Sequence, residues 1–283
     1  MRYEVPPFFN LETFNWTASG YQLAEEPHID LLDPHCLESD NPWIVLGAVL
    51  ERAKLGKFES LLLLPHAMEK STHPQLWSGA AELLGDAGSA ETVRSVLRHF
   101  HDQLYAKDRI ELHLRIATLL HQSCFLWAVP VILEMYLRTP NREYSAIMTM
   151  FLADLLGRDG PSVLFPSQSD QEYHTLVMEK YAALCRLVGS EDVPVLNGEI
   201  YSVRTLAERL YADLTSPGAG KKRISVTRHF FEAATGINCS DFFVDKKLQP
   251  LTAAARVEEF LESSQAKQYE EGVRYFFSHR IPD

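Results

Sequence analysis

The side chains that could do chemistry fall into a few groups. His28, Asp30, Asp33, His35 and Cys36 crowd one short segment. These are the residue types that ligate zinc or a harder cation. Their spacings match no zinc signature, and Pro27 and Pro34 favour turns there, so no metal site is expected. Ser216-Pro217-Gly218-Ala219-Gly220-Lys221-Lys222 has the look of a phosphate loop. A working loop needs backbone amides around phosphate and a hydroxyl for magnesium after the lysine. Lys222 stands where that hydroxyl belongs, so a linker is the simpler reading. His99 and His101 lie two apart on a helix and point to different sides, while His113 and His121 lie about two turns apart. Surface or cap roles are expected for all four. Glu82 and Asp154 sit 72 residues apart at equivalent points of a repeat, which is register rather than a catalytic pair. No nucleophile elbow, HExxH or dinucleotide fingerprint is present. The expectation is no enzyme, no catalytic residue and no cofactor.

Charge points elsewhere. The net charge is −11, and residues 1–51 hold nine acids against the single base Arg2. Such a surface repels nucleic acid and steers basic partners toward itself, although charge runs also serve only for solubility. Glu25, Glu26, Asp30, Asp33, Glu38 and Asp40 are the candidate partner-binding residues in that segment. Trp127 joins them because its register equivalent one repeat earlier is Glu91, on the polar side of a helix. A tryptophan there either covers a neighbouring repeat or is an exposed anchor of the kind that dominates interfaces.

The elements that must position these residues are helical. The phrases Ala80-Ala81-Glu82-Leu83-Leu84-Gly85, Ile116-Ala117-Thr118-Leu119-Leu120-His121 and Leu152-Ala153-Asp154-Leu155-Leu156-Gly157 recur at a 36-residue step. A fixed step of this size is the signature of a repeat array. The apolar stripe Val93, Val96, Leu97 and Phe100 reappears as Val129, Ile132, Leu133 and Tyr136, so the unit is a helix pair. Asn41-Pro42, Ser89, Asp108 with Glu111, and Asn141 read as helix starts. Gly85-Asp86-Ala87-Gly88 reads as a turn, and Pro65 as a kink in a helix from Phe58 to Met68.

The fold expected is all-α: a HEAT-like α-solenoid of about four helix pairs with a small hairpin near 193–201 and a C-terminal helical cap. Residues 1–40 form an acidic, aromatic N-terminal cap, 41–189 the repeats, and 190–283 a helical region opened by the hairpin signal Asn197-Gly198. The tail from Tyr269 to Phe277 is too apolar to hang loose and is expected to fold back on the body.

Phe231-Glu232-Ala233-Ala234-Thr235-Gly236-Ile237-Asn238-Cys239-Ser240 and Gly272-Val273-Arg274-Tyr275-Phe276-Phe277 resemble the C-terminal region of bacterial HEAT-like immunity proteins of polymorphic toxin systems. The resemblance covers about the last 55 residues and the repeat style of the middle. It implies a protein partner, a cognate toxin domain of basic character, blocked by occlusion. A cytoplasmic adaptor or scaffold is the alternative. A HEAT-like nucleic-acid enzyme is a third reading, which the acidic charge opposes. No apolar run approaches a membrane span and no signal peptide is visible. Four scattered cysteines without a CxxC suit a reducing cytoplasm. A monomer that binds neither membrane nor nucleic acid is expected.

Overall fold

The computed structural model describes residues 3–11, 14, 16, 20–104, 110–157, 169–216, 221–244 and 247–283. Among the described residues the fold is all-α with three small strand pairs. A 3-10 turn over Pro34–Glu38 precedes α1 (Pro42–Ala53), where Asn41 Oδ1 accepts the Trp43 amide and proline fills the first helical position. A 3-10 turn over Phe58–Leu63 leads into α2 (Leu64–Lys70). Pro65 therefore opens a helix rather than kinking one, because its missing N–H costs nothing in a first turn.

The repeats follow as α3 (Pro74–Ala87), α4 (Ala90–Phe100), α5 (Ile110–Ser123), α6 (Ala128–Arg138), α7 (Arg142–Leu156) and α8 (Asp170–Val188). α3 packs on α5 and α5 on α7, while α6 contacts both α7 and α8. Ala81, Ala117 and Ala153 are buried at the crossings, where a small residue lets helices approach closely. Gly85 is also a crossing residue: a Cβ there would lie 2.5 Å from Gln122 Cβ and 2.7 Å from the Leu119 carbonyl. It stands inside α3, not in the expected turn, and Asp86 is buried with it. Ser169 and Glu172 form a reciprocal capping box that starts α8. The expected cap at Asp108 and the segments 158–168 and 217–220 lie outside the described residues.

The hairpin β1 (Val195–Leu196) and β2 (Glu199–Ile200) turns on Asn197 and Gly198, both at positive φ, as a two-residue turn of this twist requires. α9 (Val203–Thr215) packs against α10 (Lys221–Thr235) and α11 (Pro250–Glu262). Between the last two lie β3 (Phe243–Val244) and β4 (Lys247–Leu248). The chain then forms β5 (Tyr275–Phe276) and β6 (His279–Arg280). The end of the chain is thus a strand pair, not the expected helical cap.

That last hairpin closes two helix ends. Its turn residues Phe277 and Ser278 donate backbone N–H groups to the carbonyls of Ala233 and Ala234 at the end of α10. Arg274 donates from its guanidinium to the carbonyls of Gly85, Asp86 and Gly88 at the end of α3. A helix leaves its last carbonyls unpaired, and buried ones must find donors. The guanidinium supplies them and lets α3 run through Gly85 and Asp86.

Candidate functional site

The acidic segment is a loop held at two buried points. Tyr21 is wholly enclosed and Leu31 nearly so. Between them Gln22 to Asp30 runs mostly exposed over α1. The Ala24 amide donates to Phe8 O at 2.9 Å, and Arg52 donates to Leu32 O at 2.6 Å. Leu31 reaches toward Gly47 of α1, where the absence of a Cβ admits its methyl groups. Asp30 Oδ1 accepts the Leu32 amide, an Asx turn that fixes the far end.

This loop and α1 enclose an open groove of about 590 Å³. Among the described residues, Glu25, Glu26, Asp30 and Glu51 line it against one cation, Lys54, which is already paired with Glu51 at 2.8 Å. Ile29 and Leu32 also line it, at 42% and 41% exposure. Exposed carboxylates beside exposed aliphatic side chains suit a partner surface with lysine or arginine around an apolar contact.

The six acids singled out from the sequence do not form one cluster. Glu25, Glu26 and Asp30 share the groove. Asp33 instead caps the 3-10 turn through the His35 amide, with Glu38 3.9 Å from the His35 ring. Asp40 lies 3.6 Å from Lys70. Trp127 is not an exposed anchor. It is 7% exposed, stacked near Phe125 at 5.9 Å and covered by the Arg94 guanidinium at 4.9 Å. Its helix begins one residue later, so the 36-residue register that set it on a polar face does not describe it. Among the described residues no cluster of histidine, cysteine and acid could hold a metal.

A second concentration of charge lies inside. Asp86 Oδ2 accepts the Tyr21 hydroxyl at 2.5 Å and sits 2.6 Å from His229 Nε2. His229 Nδ1 lies 3.0 Å from the Trp16 carbonyl. Burial disfavours the charged imidazole, but the charge and hydrogen bond of Asp86, with Glu82 behind, hold its pKa above the ordinary value against Arg228. Burial pushes the Tyr21 phenol well above its usual range, reinforced by Asp86. Burial also raises Glu82, with His229 opposing, and raises Glu232, with Arg228 and His229 opposing. Arg228 and Glu232 pair at 3.3 Å on α10. His113 and His121 are buried as well, against the expected surface roles. His121 lies 3.5 Å from Asp154 and stacks on Phe151 at 4.3 Å. All four cysteines are free, and burial pushes the Cys124 thiol up to about 12, which leaves it unreactive.

Sequence reasoning missed Ile29, Leu32 and Glu51 as groove residues, and Tyr21, Asp86 and His229 as its internal support. Comparison with protein-family models, with curated proteins and with solved structures gives no match for this chain.

Proposed function

We propose that this chain is a non-enzymatic binding protein that docks a basic protein surface in the groove of Glu25, Glu26, Asp30 and Glu51. The reading rests on one observation above the others: among the described residues the acids there have a single cation between them, and it is already paired. The partner class comes from the C-terminal resemblance, a toxin domain that the chain neutralises by occlusion. The successive packing of α3, α5 and α7 at a 36-residue step supports a HEAT-like α-solenoid as the scaffold. No helix among the described residues is long and apolar enough to cross a membrane. A cytoplasmic site of action agrees with four free thiols.

The experiment is affinity capture from the native host, then repetition with Glu25→Lys, Glu26→Lys and Asp30→Lys combined. Capture of a basic protein whose growth inhibition is relieved by the wild-type chain is expected. The triple variant should lose both capture and rescue. Association should also slow as salt rises, because steering between exposed charges is screened over about 8–10 Å at physiological salt. Capture indifferent to both the charge reversal and the salt would remove the groove from the proposal.

A further inference from the structure

The acidic loop hangs on a proton. Its first buried anchor, Tyr21, donates its hydroxyl to the same Asp86 oxygen that faces His229 Nε2. The other imidazole nitrogen faces the carbonyl of Trp16, whose ring lies 4.8 Å from that of Tyr21. A carbonyl only accepts, so Nδ1 must carry hydrogen to make this bond. Tyr21 already donates to this Asp86 oxygen, and with the oxygen accepting on its other side as well, Nε2 must also carry hydrogen. The geometry is satisfied by a histidine with two N–H groups, bonding the N-terminal segment on one side and α3 on the other.

A neutral imidazole has one N–H and cannot serve both. If it kept the Nδ1 proton, a lone pair would meet a carboxylate oxygen at 2.6 Å in a site closed to water. If it kept the Nε2 proton, the bond to Trp16 would be lost. In the first case the loss falls on the Asp86 oxygen that Tyr21 also bonds, in the second on Trp16, and both belong to the anchor of the loop. We propose that Asp86 and His229 form a proton-dependent latch that holds the Tyr21 end of the acidic loop, and with it the groove, against the helical body.

The surroundings decide the direction. Asp86 and Glu82 face His229 from α3, Tyr21 from the N-terminal segment, and Arg228 and Glu232 from its own helix. Arg274 reaches the same helix end from the C-terminal hairpin. The imidazole pKa is raised, so the stabilisation is fully present below about 6.5, the unfolded value, and is lost as pH rises through the folded value. Tyr21 keeps its proton through that window, its own pKa being raised well above the ordinary phenol value. The latch is therefore closed below about 6.5 and opens as pH rises through the raised value of the imidazole.

That the latch regulates binding rests on the groove reading above; the latch itself does not. The test is nitrogen NMR of the His229 ring alongside hydrogen exchange of residues 20–32, corrected for intrinsic rate, from pH 6 to 9.5. Two protonated nitrogens are expected at pH 6. Protection of residues 20–32 should fall about tenfold or more as that ring titrates, tenfold being the effect of about 1.4 kcal/mol. Amides of α5 should keep theirs. His229→Gln should lack protection in the loop at every pH. Tyr21→Phe should lower it while leaving the ring titration in place, and it serves where the glutamine variant does not fold.

A single protonated nitrogen at pH 6, or loop protection unchanged across the titration, overturns the latch. A lysine-rich oligopeptide separates the two ideas. A loop released on titration in a chain that binds no such peptide at any pH keeps the latch and removes the groove reading. Binding that ignores the titration keeps the groove and removes the latch.

Discussion

Glu25 and Glu26 on the groove loop and Glu82 and Asp86 on α3 are the same chemical groups in opposite surroundings. The first pair stands in water with no cation assigned to it. The second is buried, and the imidazole of His229, the phenol of Tyr21 and the guanidinium groups of Arg115 and Arg274 lie within electrostatic reach. Burying a carboxylate costs several kcal/mol unless donors surround it, so interior acids are committed to the fold. An exposed acid carries no such obligation and remains available to another molecule. The contrast separates charge that builds the molecule from charge that it can offer, and the two are joined at Tyr21, one end of the exposed loop and a member of the buried cluster.

The buried side of this comparison breaks hardest at Arg274. Replacing it with methionine leaves three carbonyls at the end of α3 without donors and uncovers the ring of Phe125. A loss of about 3–5 kcal/mol is expected, typical of an uncompensated buried charge-assisted site. Denaturant unfolding measures it; a loss within 1 kcal/mol, about that of one ordinary hydrogen bond, means that the carbonyls find other partners. Gly20 comes next. It holds φ +78°, and a Cβ there would overlap the Glu232 carboxylate. Gly20→Ala should cost about 1–3 kcal/mol, combining backbone strain with displacement of a buried acid. Its effect should concentrate on exchange protection in residues 20–32 and spare α5 and α7.

A smaller and reversible effect follows from pH. His229 has a raised pKa in the fold, so stability is highest below about 6.5 and declines as pH rises through the folded value. The melting temperature should fall as pH rises from about 6.5 through the raised imidazole value, and His229→Gln should remove most of that slope while lowering stability at its acidic end. A variant that melts lower but keeps the full slope would assign the alkaline loss to another group.

Much of this was legible in the sequence and some was not, for a physical reason. Helix boundaries and the 36-residue unit are local facts, written in caps at Asn41, Ser89 and Asn141 and in the alanine at each crossing. Asn197-Gly198 announced its hairpin because only a few residues accept positive φ twice in succession. Asp86 sat between two glycines and read as a turn. What keeps it helical is Arg274, 188 residues away, and no local signal carries that. His229 and Tyr21 likewise gain meaning only from Asp86. The acidic candidates were visible as composition, but which of them share a groove depended on where Tyr21 and Leu31 are anchored. Trp127 shows the converse: the register set it on a polar face and left a packed and an exposed role open, and packing under Arg94 decides for the packed one.

The exposed side of the comparison should give the smallest change in stability and the clearest change in binding. Glu25→Lys and Glu26→Lys remove no hydrogen bond to a described residue and leave both anchors intact. Surface substitutions of this kind usually stay within about 0.5 kcal/mol, so unfolding should match the wild-type chain. Reversing two charges in a groove with one paired cation changes its sign of attraction, and the association rate of a basic partner should drop with a flatter salt dependence. Asp33→Lys and Glu38→Lys alter net charge equally but lie on the 3-10 turn outside the groove lining. They should slow association less than the groove pair does. Equal losses from both pairs would mean that net charge, not the groove, guides the partner. A groove pair that lowers stability as far as Gly20→Ala would mean that these acids belong to the fold after all.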